Sequence, residues 1–166
     1  MSLLLASLRV APLYGQVVVE SEGATDLPIP ETGHERIVAS SESLLVATRG
    51  DQEGDVLMEV WRGVPDAERA ESLFDGELSF TVPRLVFGSP LGAQLTTVET
   101  GQTGWAAVKV FADPEDAPSR VVVAILWSVY LNIGGNPAPI TQETRLPEPL
   151  HPNMDMRNWA ACREVG

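Results

Sequence analysis

The chain has 166 residues, a net charge of −12 and 44% hydrophobic residues, enough for one domain with its own core. Acidity on this scale repels nucleic acid and membrane surfaces and attracts basic proteins. The single cysteine, Cys162, permits no disulfide within the chain, and the longest apolar run, residues 121–131, stops at 11 residues, against the roughly 18 needed to span a bilayer.

Thirteen prolines, fourteen glycines and few helical patterns favour an all-β chain. Residues 1–12 read as a short helix or an N-terminal arm, with Leu3, Leu4, Leu5 and Leu8 on its apolar side. No basic residue precedes that run, which is too short for a secretory signal, so a cytoplasmic protein is expected. Residues 13–20 (LYGQVVVE) form the first strand, and Gly23, Pro28 and Pro30 punctuate the loop after it. Residues 36–40 and 44–48 are two strands, or one strand with a polar bulge at Ser41-Glu42-Ser43. Residues 49–54 make a polar turn. The segment 55–62 alternates most clearly, with Val56, Met58 and Val60 on one face and Leu57, Glu59 and Trp61 on the other. Residues 67–74 have helical propensity, with Asp66 placed to cap them. Strands follow at 77–82, 84–88 and 94–99.

The centre of the pattern is the hairpin of residues 104–127. Its first arm alternates, with Ala106, Val108 and Val110 on one face, while its second arm, residues 121–126, is apolar on both faces. A strand covered on both sides has that composition. Short strands at intervals of about ten residues predict a single β-sandwich of jelly-roll type over residues 13–131. Residues 132–166 change character. Pro137, Pro139, Pro147, Pro149 and Pro152 predict an extended Pro-rich C-terminal tail, closed by a short helix from Asp155 whose Met156 and Trp159 make its contacts.

No chemistry-bearing motif survives inspection. A metal site in a sandwich needs converging histidines and a carboxylate, and His34 and His151 are far apart in sequence and lack ligand spacing. Asp51, Glu53 and Asp55 alternate as in a Ca²⁺ loop but lack its terminal bidentate Glu, so they read as a solvated turn. Arg49-Gly50-Asp51 matches the integrin tripeptide by chance. Ser89 and Ser119 have no His–Asp context for nucleophilic catalysis, and Cys162, close to Trp159, reads as a packed thiol. No catalytic residue, cofactor or metal is expected.

The charge is concentrated instead: between Glu20 and Glu77 fifteen carboxylates face only four arginines, Arg36, Arg49, Arg62 and Arg69. Within this stretch Asp51, Glu53, Asp55, Glu59, Asp66, Glu68, Glu71 and Asp75 are the candidate partner-binding residues.

The segment Tyr14-Gly15-Gln16-Val17-Val18-Val19-Glu20-Ser21 resembles the opening strand of a group of small actinobacterial proteins that are similar to the competence protein ComJ, a nuclease inhibitor of sandwich type. The Gly54–Trp61 strand, the acidic stretch after it and Val108-Lys109-Val110-Phe111-Ala112 follow in the same order, so the resemblance spans residues 13–127. It implies a small sandwich that inhibits a nuclease or toxin by binding it. The expected function is thus non-catalytic: an acidic protein-binding module whose partner is a basic protein. The alternative is an assembly subunit of a phage or other particle that self-associates through its N-terminal arm and C-terminal tail.

Overall fold

Period-two alternation becomes a two-layer sandwich in the computed structural model, which describes residues 1–66, 70–90 and 94–127. The chain divides into two units, Met1–Ser128 and Val129–Gly166, and every described residue belongs to the first. The strands are β1 (Leu3–Val10), β2 (Gln16–Ser21), β3 (Ile37–Ala39), β4 (Ser43–Ala47), β5 (Val56–Arg62), β6 (Glu71–Phe80), β7 (Arg84–Gly88), β8 (Leu95–Glu99), β9 (Gly104–Ala112) and β10 (Arg120–Leu126). One sheet has the order β1-β5-β10-β9-β6 and the other β3-β4-β2-β7-β8. The pairs are antiparallel except β5–β10, which is parallel.

The alternating residues fill the space between the sheets. Val56, Met58 and Val60 of β5, Val108 and Val110 of β9, and Val121, Val123 and Ile125 of β10 meet Val17, Val19, Leu44, Val46, Leu85 and Phe87 of the facing sheet. β10 is the middle strand of its sheet, flanked by β5 and β9. Its outward residues Val122 and Ala124 are buried as well, which explains the run with no polar face. On the opposite sheet the parallel strands β2 and β3 flank β4, and residues 22–36 connect them. Glu42 ties down the start of that connection by accepting the Thr25 and Asp26 amides at 2.8 and 3.0 Å, and Pro28 is buried midway.

Two expectations change, and one open alternative is settled. Residues 1–12 are neither helix nor free arm, because Leu3–Val10 pairs with β5 along its length, with a register shift between Leu4 and Ala6. The helix expected at 67–74 is overturned at its C-terminal end. β6 begins at Glu71, and Ser72 and Phe74 sit opposite Phe111 and Val110 of β9. Sheet pairing and burial of Leu73 and Phe74 against the core override local propensity there. Finally, 36–40 and 44–48 resolve into the separate strands β3 and β4. The tail expected at 132–166, with Met156, Trp159, His151 and Cys162, lies outside the described residues.

Candidate protein-binding surface

Strand directions decide which loops meet. β5 and β10 run parallel and start together, since Arg120 is level with Leu57. The turn before β5 and the loop before β10 therefore emerge at the same end of the sandwich. The start of β6 joins them there, with Glu71 opposite Ala112. So does the approach to β3, where the Ala47 amide donates to Arg36 O. The β4–β5 turn contributes Asp51, Glu53 and Asp55, all exposed, and the β9–β10 loop contributes Asp113, Glu115 and Asp116.

Glycines and two arginines shape this end. Asp51–Glu53 is a single 3-10 turn between Gly50 and Gly54, and Gly54 leaves it at φ 105°, a conformation that glycine tolerates best. The Glu53 carboxylate accepts the Gly50 amide at 2.7 Å. The Arg49 guanidinium closes the turn by donating to Asp55 O, and the Arg49 amide donates to Pro118 O of the neighbouring loop at 3.2 Å. Arg36 binds three segments together: its own, β6 through Glu71 at 2.6 Å, and the β9–β10 loop through Glu115 O at 3.2 Å. Arg36 and Arg49 thus hold loops in place at this end. No ion pair among the described residues involves Asp51, Glu53, Asp55, Asp113, Glu115 or Asp116.

Glu35 braces the approach to β3. Its carboxylate accepts the Thr32 amide at 2.7 Å and the Glu31 amide at 3.1 Å. The Thr32 amide is the largest cause of a pKa held down at about 2; the Glu35 amide and then the Thr32 hydroxyl and Glu31 amide add to it, while burial opposes them. Glu42 is also held below the usual carboxylate range, first by the Asp26 amide and then by that of Thr25.

The eight carboxylates singled out from the sequence do not form one patch. Asp51, Glu53 and Asp55 share the loop end, with Glu71 at its rim in its pair with Arg36. Glu59 points out from the middle of β5 with a side chain only 14% exposed, held by Arg120 Nε at 2.9 Å and Nη2 at 2.6 Å. Asp75 pairs across strands with Lys109 at 2.5 Å. These last two hold the sheet together. Asp66 is exposed in the β5–β6 connection, and Glu68 lies outside the described residues. The acidic loop 113–116 was missed as a site because it lies some sixty residues beyond the β4–β5 turn in sequence. Its one signal is the Asp-Pro-Glu-Asp composition of the hairpin turn.

Among the described residues no three His, Cys, Asp or Glu side chains are placed to hold a metal ion, and no helix is long and apolar enough to cross a membrane. The arrangement offers negative charge mounted on braced loops.

No protein-family model and no curated protein matches this sequence. Among solved structures, the chain is similar to ComJ from Bacillus subtilis, described as the inhibitor of the DNA-degrading activity of NucA. The TM-score is 0.61 at 10% identity, over 76% of this chain and 98% of that one. At that identity the likeness is one of fold, and it extends over nearly the whole of the solved protein. The chain therefore has the β-sandwich fold of ComJ.

Proposed function

We propose that this protein is a non-catalytic, cytoplasmic inhibitor that binds a basic nuclease or toxin through its acidic loop end. The observation that carries this reading is the convergence of two acidic loops, 51–55 and 113–116, at one end of the sandwich, with Asp51, Glu53, Asp55, Glu115 and Asp116 exposed. Arg36 and Arg49 beside them are engaged in bracing rather than in pairing with the carboxylates of those loops. Such an end resembles a phosphate backbone in sign and attracts the cationic groove with which a nuclease holds DNA. The likeness to a nuclease inhibitor supports the partner class, though at its level of identity it passes on no contact residue.

Charge of this kind acts mainly on the encounter, so association slows steeply as salt rises while dissociation changes little. The test is affinity capture on the immobilised full chain, followed by rate measurements on the captured protein. A basic partner whose association rate falls with salt is the expected result. Capture of no basic protein, or an association rate indifferent to salt, overturns the proposal.

A further inference from the structure

An open sandwich has four edge strands, each with unpaired backbone groups that invite another strand unless something blunts them. Three of the four are blunted here. β3 has three residues. β8 has five and carries Glu99. β6 is long but carries Glu71, Asp75 and Glu77, shifts register between Ser72 and Phe74, and gives its Ser79 amide to Ser41 O.

β1 is different. It has eight residues, LLLASLRV, with Arg9 as its one charge and a register shift between Leu4 and Ala6 as its one irregularity. Leu3 and Leu4 are 57% and 42% exposed. Among the described residues its backbone pairs with β5 alone, and only beyond its end does the Ala11 amide find the Gln94 side chain, at 2.7 Å.

We infer that β1 is a self-association edge, pairing antiparallel with β1 of a second copy about a two-fold axis to make one continuous ten-stranded sheet. Electrostatics selects this occupant. β1 is a long edge with no carboxylate in a strongly acidic chain, so two copies meet there with little repulsion. The strand runs towards the acidic loop end, since Val10 lies opposite Val56 where β5 begins. Antiparallel pairing therefore sends the two acidic ends to opposite extremities of the dimer and sets each Arg9 near the leucine end of the other strand. Both loop ends stay free for a basic partner.

The sign of the salt effect separates this contact from the proposed inhibitory one. Two chains of like charge associate more tightly as salt screens them, whereas an acidic surface and a basic partner associate less tightly. Sedimentation equilibrium of the full chain, over about two decades of concentration, should show a monomer–dimer equilibrium that strengthens with salt. Leu4→Lys should weaken the dimer by at least about tenfold while leaving the melting temperature of the dilute monomer unchanged. Trp105→Lys, at an exposed position on β9 away from the edge, should leave the dimer intact. In the native protein, hydrogen exchange at β1 amides should slow as concentration rises, a readout that needs no variant. A monomer throughout with concentration-independent exchange overturns the inference. So does a dimer that weakens in salt, or one that tolerates Leu4→Lys but not Trp105→Lys.

Discussion

Replacing Val123 tests the centre of the fold directly. This residue is fully buried on β10, between Val60 of β5 and Val110 of β9. Val123→Ala removes two methyl groups, about 0.8 kcal/mol each in transfer. Incomplete closure of the space adds roughly 1 kcal/mol, so the loss should be about 2–3 kcal/mol. Val123→Asp loses the same contacts and also strands a carboxyl group among the valines of the core, where Val60 and Val110 offer it no donor. A buried polar group without a partner costs about a further 2–4 kcal/mol, for a total of roughly 4–7 kcal/mol. That is comparable to the whole stability of many domains of this size, about 5–15 kcal/mol. The buried carboxyl is pushed up in pKa, so the unfolded chain loses its proton first as pH rises. Stability of the Asp variant should then fall by about 1.4 kcal/mol per pH unit above the ordinary carboxylate range, until the folded group ionises as well. Urea melts of the native protein and both variants at pH 4 and pH 7 measure each effect. An Asp variant that keeps the native midpoint at pH 7 would refute the placement of β10 at the centre of the core.

Neutralising the β4–β5 turn with Asp51→Asn, Glu53→Gln and Asp55→Asn together should slow association with a basic partner by about tenfold at low salt. Urea melts should show little loss of stability. Glu59→Gln should do the reverse, leaving the association rate near native and lowering the urea midpoint, because Arg120 loses its charged acceptor on the sheet face. Gly88→Ala should unfold the protein or nearly so. Gly88 sits at φ 141°, and an added β-carbon would collide with Gln94 O; a native melting curve would disprove the close approach. The Glu35 brace has a folded pKa of about 2 against 4.5 for a free carboxyl. Its contribution is therefore complete above pH 4.5 and is lost as pH falls towards 2. NMR of the Glu31 and Thr32 amides should show a transition centred near pH 2 that Glu35→Gln abolishes.

What the sequence made legible was the part of the fold governed by alternation. β5, β9 and β10 carry their faces in their spelling, and the doubly apolar composition of β10 marked the middle strand of its sheet. β1 and the start of β6 were not legible, for opposite reasons. The run Leu3-Leu4-Leu5-Ala6 has no polar alternation to reveal a strand, because its edge position leaves leucines exposed on the outer side. Ala-Glu-Arg-Ala-Glu-Ser before Leu73 spells a helix, and only partners on β9, thirty to forty residues further on, make it a strand from Glu71. The candidate site was half legible for the same kind of reason. Counting carboxylates along the chain found Asp51, Glu53 and Asp55, yet it also gathered Glu59 and Asp75, which cross-strand cations engage. It passed over the loop 113–116, which only the parallel pairing of β5 with β10 brings alongside.

That pairing also dictates the order in which the protein comes into being. Until β10 has been synthesised, its sheet exists only as two disconnected pieces, β1 with β5 and β6 with β9, because β10 lies between them. Strand pairing across so long a stretch of chain is slow, since the intervening loop must close before any contact rewards it. On the ribosome, the loops 51–55 and 113–116 remain strangers until residue 126 has cleared the exit tunnel and β10 slots in. A half-made chain thus carries the acidic residues without the acidic surface. The proposed binding surface arrives in one late step, with the same strand that completes the core.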